Sequence, residues 1–422
     1  MAATPKKDTA EPKGAWYQEI RWSSVITLIF IPVYGFTQAL WVPLTLRTLQ
    51  WSLVYYVATM VAVTAGYHRL WSHRSFVAHA PLRLILAALG AGSMLGSAFF
   101  WARKHREHHR YTDTELDPYG INKGILHAHI LWTMVKEPSK NIQVDVSDLK
   151  KDPIVAFQHK YYVPCTIFMS WVFPTLVAGY GWNDWFGGFI YAGILRTFFV
   201  NQGIFCLNSL AHSFGEQPYD DRRSPRNHWF TAIVTLGEGY HNFHHEFPSD
   251  YRNAIRWYQF DPTKWVIWLS SLFGMADNLK RFPQNEIGKG EIQMVRKRID
   301  TQSRQYNWGP AIEDLPIMEW DDFTQTSKSP DGPSLIAIEG VIHDVSNFIE
   351  EHPGGKNFIK SAIGKDATAL FNGGVYNHAN AARNLLATLR VAILRGGGEV
   401  DIWKKAPTTT DGTPTKADGS LD

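Results

Sequence analysis

Four apolar runs of about twenty residues constrain this chain more than any other feature, because a run that long can cross a bilayer as a helix. They are Val25–Leu44, Leu49–Ala65, Tyr161–Tyr180 and Trp185–Leu207. Inside hydrocarbon a helix satisfies its own backbone groups, so the pattern predicts two helical hairpins, each with a short link. Trp41 and Trp51 fall near the ends of the first two runs, where interfacial anchors belong. The long segment from Arg69 to Lys160 is rich in Lys and Arg, whereas the short links near Arg47 and Asn183 carry almost none. The bias of positive charge toward the inner face then places the long segment, and both termini, in the cytosol.

A fifth apolar stretch, Leu82–Phe100, is rich in Gly, Ala and Ser and contains Arg83. If it spanned, His68 and His73 would lie across the membrane from His105, His108 and His109. It is therefore read as an interfacial or protein-buried helix.

The mean hydropathy of −0.21 requires polar parts alongside the membrane helices. A net charge of +3 gives no argument for nucleic acid. The two cysteines, Cys165 and Cys206, both sit in apolar runs, which excludes a disulfide framework, a CxxC zinc site and a CxxCH haem attachment. The N-terminus lacks the apolar core of a signal peptide. The reading divides the chain into a disordered N-terminus (1–20), a membrane domain (21–285), a charged helical connector and linker (286–313), a small soluble domain (314–400) and a disordered tail (401–422). The fold class is mainly α, with four membrane helices under a cytosolic helical cap and a small α+β domain.

Three histidine clusters carry the chemistry: His68-Arg-Leu-Trp-Ser-His73, His105-Arg-Glu-His108-His109 and His241-Asn-Phe-His244-His245. On a helix, positions i, i+3 and i+4 share a face, so each HxxHH box presents converging imidazoles. Neutral imidazole suits iron, copper, nickel and zinc. Eight such rings are too many for one tetrahedral zinc, and they suit two metals with positions open for oxygen. The isolated His79, His127, His129, His159, His228 and His343 are read as surface or satisfied core residues. Asn208 and His212 lie four apart at the end of the last apolar run; a helix–helix hydrogen bond competes with a functional role there. Asp117 and Glu238 are candidates for carboxylates that orient ring nitrogens, against the alternative of ordinary solvated loop residues.

In the C-terminal domain, Ser334–Val345 reads as strand, Glu-Gly turn, strand. His352-Pro353-Gly354-Gly355 follows, then a capped helix from Asp366 to Phe371, then His378 and a helix from Ala381 to Arg390. Two histidines separated by short helices can ligate a haem from both sides, which leaves it to carry electrons rather than bind oxygen.

Together, HRLWSH, HREHH, NSLAH and GEGYHNFHHEFPSDYR resemble the membrane acyl-CoA Δ9 desaturases, the stearoyl-CoA desaturase family. IEGVIHDVSNFIEEHPGG and FNGGVYNHANAARNLLA resemble cytochrome b5, and the C-terminal order of the fusion is similar to the fungal type. The resemblance implies two irons held by His68, His73, His105, His108, His109, His212, His241, His244 and His245, with Asn208 acting through a water. It implies haem ligands at His352 and His378. It places Trp101 and Arg103 beside the CoA head group and acyl entrance, and Trp132 in the tunnel. Two departures stand out: a family arginine is Lys136 here, which removes bidentate phosphate binding, and a tunnel tryptophan is Phe205. The implied reaction inserts a cis double bond into a long-chain acyl-CoA in the endoplasmic-reticulum membrane. O2 is the co-substrate, and electrons come from an NADH-cytochrome b5 reductase through the fused haem domain. A di-iron fatty-acyl hydroxylase, a lipid-linked desaturase, a membrane haem electron carrier and a zinc-dependent membrane hydrolase are the competing readings.

Overall fold

The structure, a computed structural model, describes residues 16–136, 142–374 and 376–397. The termini expected to be disordered fall largely outside these residues, although Trp16–Gln18 form a 3-10 turn and Ile20 pairs with Val135. The chain divides into two compact units, Met1–Arg298 and Ile299–Asp422.

Four helices in the first unit are long and apolar enough to cross a membrane: Trp22–Ala39, Leu46–Ser72, Tyr162–Trp182 and Trp185–Ser209. They coincide with the four apolar runs, and the second extends beyond its run. Thr45 starts the second span by accepting a hydrogen bond from the Thr48 amide at 3.2 Å. Its last part, Ala62–Ser72, has wider π-type turns and is wholly buried. The fourth span carries Arg196, buried and donating to the carbonyls of Ala192, Gly92 and Ser170 at 2.9–3.1 Å. A cation at that depth is tolerated because carbonyl dipoles surround it.

At the end of the spans away from the histidines, one carboxylate joins the two hairpins. Asp184 accepts hydrogen bonds from Thr48 Oγ1, from Thr45 Oγ1 at 3.4 Å and from the Gly187 amide at 3.0 Å. Trp182 Nε1 donates to Thr48 Oγ1 at 2.9 Å.

The fifth apolar stretch needs a correction. It is two helices, Ala80–Ala91 and Ala98–Tyr111, and neither is among the spans. The chain breaks between them at Met94 (φ 58°) and Gly96 (φ 94°), and Ser97 caps the second helix by accepting from Phe100 N at 3.1 Å. Helix Ala80–Ala91 packs closely on the second span: a Cβ at Gly90 would stand 2.5 Å from Tyr67 Cε1. The sequence 98–111 thereby stays on the same side as His68 and His73, as a shared site requires.

The connector is helical over Gln284–Ser303. In the second unit, a sheet runs in the spatial order Ile317–Met318, Arg390–Leu394, Val341–Asp344, Leu335–Ile338. The first pair is parallel and the others antiparallel. The predicted hairpin turn is present, with Glu339 and Gly340 at φ 52° and 76°, the twist that suits a two-residue connection. The last helix is Asn380–Thr388; Arg390, expected at its end, instead opens the returning strand.

His343 lies on the central hairpin, buried, and its Nδ1 has no hydrogen-bond partner. Burial, with Arg390 adding to it, pushes its pKa down to about 4. Below its ordinary pKa of about 6.5 the unfolded chain takes up a proton that the folded unit refuses. Stability of this unit therefore falls as pH drops from about 6.5 to about 4, by up to roughly 3 kcal/mol, with no contribution above that window. In acid titrations followed by circular dichroism, His343→Gln is expected to move unfolding of the second unit to lower pH. An unchanged midpoint would refute this.

Candidate metal centre

The first histidine cluster depends on local helix geometry. In a regular α-helix His68 and His73 would point about 140° apart. The wider turns of Ala62–Ser72, closed by the His73 amide donating to the His68 carbonyl at 3.1 Å, bring both to one side. His105, His108 and His109 project from helix Ala98–Tyr111, and His241, His244 and His245 from helix His241–Glu246. His212 follows the fourth span by three residues.

These nine rings form two groups, His68, His73, His105, His109 and His244 in one, and His108, His212, His241 and His245 in the other. Within each group the ligand nitrogens all lie within 4.8 Å of one another. Nε2 atoms face each other at 2.9 Å for His68 and His244, 2.9 Å for His73 and His105, and 3.0 Å for His212 and His241. The groups adjoin, with the rings of His109 and His245 stacked at 4.1 Å.

Neighbouring acceptors decide where the ring protons sit. His68 Nδ1 is 2.8 Å from Glu238 Oε2, and His108 Nδ1 is 2.9 Å from Asp117 Oδ1. A carboxylate only accepts, so His108 Nδ1, hydrogen-bonded to Asp117, holds the proton and its Nε2 presents a lone pair. Ser224 Oγ donates to Asp113 at 2.5 Å and so accepts from His212 Nδ1 at 2.7 Å, which frees His212 Nε2 in the same way. His108 Nε2 is buried with no protein partner. Burial, and then the repulsion of neighbouring imidazoles, holds His73, His105, His109, His212, His241, His244 and His245 well below the usual histidine range. Burial alone would raise the pKa of Glu238, but Arg69 and His68 outweigh it and keep the carboxyl below its ordinary value. Neutral rings with oriented lone pairs are what a cation requires, and the set fits two metal ions.

A cavity of about 950 Å³ reaches this centre. It is lined by His68, His105, His108 and His241 and by Asn208, Trp101, Arg103 and Trp132. Lys136 is not among the lining residues; it is exposed and donates to the Gln18 carbonyl at 2.9 Å. Three residues that the sequence reading missed also line it: Arg21, Lys104 and Tyr119. Tyr119 stacks on His108 at 4.5 Å, and buried Glu107 holds Arg103 and Lys104 at 3.0 and 2.7 Å. Phe205 is a buried part of the same wall.

In the second unit, the rings of His352 and His378 lie nearly parallel, 6.3 Å apart at 27°. His352 Nδ1 donates to the Gly355 carbonyl at 3.1 Å, and His378 Nδ1 to the Phe371 carbonyl at 2.9 Å, so both Nε2 atoms are free to ligate. Two imidazoles bound at about 2 Å on opposite sides of one metal would have their centroids roughly 6 Å apart, in agreement with this spacing. Gly354 leaves the room: a Cβ there would come within 2.9 Å of His352 Cε1. The pair fits a haem.

Comparison with known proteins decides the family. Residues 46–269 match the profile of fatty acid desaturases, and residues 319–395 that of cytochrome b5-like haem/steroid-binding domains. Acyl-CoA desaturase 1 of Saccharomyces cerevisiae is 50% identical over 383 residues, 90% of this chain and 75% of that protein. The chain belongs to the fatty acid desaturase family. A probable acyl-CoA desaturase of Schizosaccharomyces pombe is 49% identical over 390 residues, 92% of this chain and 80% of its own length. Stearoyl-CoA desaturase 5 of Bos taurus is 38% identical over 271 residues, 63% of this chain and 81% of its own. The two fungal alignments are long enough to run through both units. This desaturase is thus of the acyl-CoA, fungal type with a C-terminal cytochrome b5 domain, and that domain implies haem. Its four apolar helices make it a multi-pass membrane protein.

Asp117 offers a direct test of ring orientation in this desaturase. Asp117→Asn is expected to weaken metal retention about 10–100-fold, because the amide no longer holds the His108 proton at Nδ1. Metal content after dialysis against graded chelator measures it, and wild-type retention would refute the role.

Proposed function

We propose that this chain inserts a cis double bond at C9 of a saturated long-chain acyl-CoA, such as stearoyl- or palmitoyl-CoA. The carrying observation is the two adjoining groups of histidines at the wall of a cavity that reaches them. Nine protein nitrogens, with Asn208 on the wall of the same cavity assigned as a ligand through water, favour a pair of irons over a single tetrahedral zinc. Two irons held there supply the reduction of O2 and the removal of two hydrogens from adjacent methylenes.

The chain's own part is placement. Arg21, Arg103 and Lys104 gather at the cavity as cations suited to a CoA phosphate, while Trp101, Trp132 and Phe205 provide apolar wall for an acyl chain. Holding one C–C bond beside the centre converts a chance encounter into an oriented one. Burial keeps bulk water from competing. Lys136, tied to Gln18, is assigned a smaller part in CoA binding, through charge alone. His352 and His378 would hold haem b, which would supply electron transfer to the membrane unit. A separate NADH-cytochrome b5 reductase supplies the electrons, and covalent fusion keeps the haem at high local concentration. In this reading the histidine end faces the cytosol, both termini are cytosolic, and the membrane is that of the endoplasmic reticulum. A membrane electron carrier would have no use for the nine gathered imidazoles.

Expression in cells lacking their own desaturase, followed by gas chromatography of total fatty acids, tests the proposal. Wild type is expected to yield C9-unsaturated acids and His108→Ala none. Hydroxylated acids would transfer the assignment to a hydroxylase, and no new lipid from haem- and iron-loaded protein would sink it.

A further inference from the structure

Helix Pro262–Leu272 is built inside out for a water-soluble surface. Its protein-facing side is Thr263, Lys264, Ile267 and Ser270, all buried. Its outward side is Trp265, Trp268, Leu269 and Leu272, with Leu272 62% exposed and the following Phe273 70% exposed. The inward polar groups are satisfied: Lys264 Nζ donates to the Ala254 carbonyl at 2.7 Å, and Thr263 Oγ1 to the Leu236 carbonyl at 3.0 Å. Helix Trp229–Val234 repeats the inversion, with Thr231 and Ala232 buried and Trp229, Phe230 and Ile233 exposed. Scattered apolar residues on a surface need no explanation, but a contiguous face of this kind marks an interaction site.

The position of these helices selects the partner. Thr263 Oγ1 lies 2.8 Å from Thr64 Oγ1, and the Tyr56 hydroxyl donates to the Val234 carbonyl at 2.6 Å. Both helices are thus fixed to the second span between Tyr56 and Thr64. On that span Leu53, Val54 and Val57 are exposed just before the attachment, so its lipid-facing surface continues onto the two helices. Aromatic rings are concentrated at the level where tryptophan and tyrosine normally meet head groups.

From this inversion and its continuity with the span, we propose that helices Trp229–Val234 and Pro262–Leu272 lie within the bilayer interface. They form an in-plane anchor whose occupant is the head-group and upper acyl layer of the leaflet at the histidine end. The inference rests on the reading of Leu46–Ser72 as membrane-spanning. It places the metal centre low: His68 is only four residues, less than one of the wider turns, beyond Thr64.

Site-specific quenching tests it on the full chain in phosphatidylcholine nanodiscs, with Cys165→Ala and Cys206→Ala as background. A bimane label is placed at Leu269→Cys or Leu272→Cys, at Val54→Cys in the span and at Ile292→Cys, which is 69% exposed on the connector helix. Labels at 269 and 272 are expected to be quenched at least about threefold more by a lipid nitroxide at acyl position 5 than by aqueous iodide, and the label at 292 the reverse. Iodide quenching at 269 and 272 equal to that at 292, with Val54 still lipid-quenched, would overturn the anchor alone. Shielding from both quenchers would also overturn it, by showing protein over the face. Failure of lipid quenching at Val54 would instead remove the membrane-span reading beneath it.

Discussion

Arg69→Leu is expected to destabilise the membrane unit by about 3–5 kcal/mol and to release its metal. Arg69 is buried and donates to Glu238 Oε1 from Nε at 3.0 Å and from Nη2 at 2.9 Å. It reaches Asp261 Oδ1 at 2.9 Å and the Tyr251 carbonyl at 2.7 Å. Each acceptor has a second task. Glu238 stands 2.8 Å from His68 Nδ1 and accepts from Asn253 Nδ2, and Asp261 caps helix Pro262–Leu272 at the Lys264 amide. Leucine at position 69 would leave two buried carboxylates without their cation, which costs far more than the lost contacts. Thermal unfolding in detergent and iron content read the two effects together. A variant with wild-type melting and full iron would refute the role.

His378→Ala should separate the two cofactors. Without its second axial ligand the haem unit is expected to lose the Soret spectrum of a bis-histidine haem, while iron in the membrane unit stays near wild type. With purified protein, NADH and reductase, desaturation is expected to fall at least about tenfold, since in the proposed reaction each turnover draws two electrons through the fused haem. Retained activity in that mixture would show that the fused haem is not the donor. Phe371 stacks on His378 at 4.4 Å, so a collapse of the unit is checked by circular dichroism of the same sample.

The two HxxHH boxes were legible because their spacing alone places rings on one helical face, whereas His68 and His73 share a side only through the wider turns of Ala62–Ser72. The four spans were legible because apolar length is a one-dimensional quantity. The break at Met94 was not, since Gly92, Ser93, Gly96 and Ser97 fit a close-packed helix as well as a turn, and only the backbone at Met94 and Gly96 shows where the first helix ends. Asp117 and Glu238 were named as candidate orienting carboxylates, and they stand on His108 and His68. The link from Asp113 through Ser224 to His212 joins residues 111 apart, and no local pattern announces it. Lys136 went the other way: a position carried over from family likeness is tied to the Gln18 backbone. The inverted helix Pro262–Leu272 escaped because its composition resembles any amphipathic segment; the sense of its polarity exists only once a neighbour is in place.

Asp184 has a mechanical consequence. It ties both hairpins together at one end, and the second span runs for 27 residues, about 40 Å, from that tie toward the histidines. Further bonds between the hairpins, from Trp51 Nε1 to the Pro174 carbonyl and from Arg196 Nη1 to Thr59 Oγ1, lie between this tie and the middle of the span, so the pairing resists sliding and any tilt displaces the histidine end most. A relative tilt of about 5° would barely disturb the clasp yet shift the far end by roughly 3–4 Å. Compliance between the hairpins is then greatest toward the histidine end, where a long saturated chain has to enter and a kinked chain of the same carbon count has to leave.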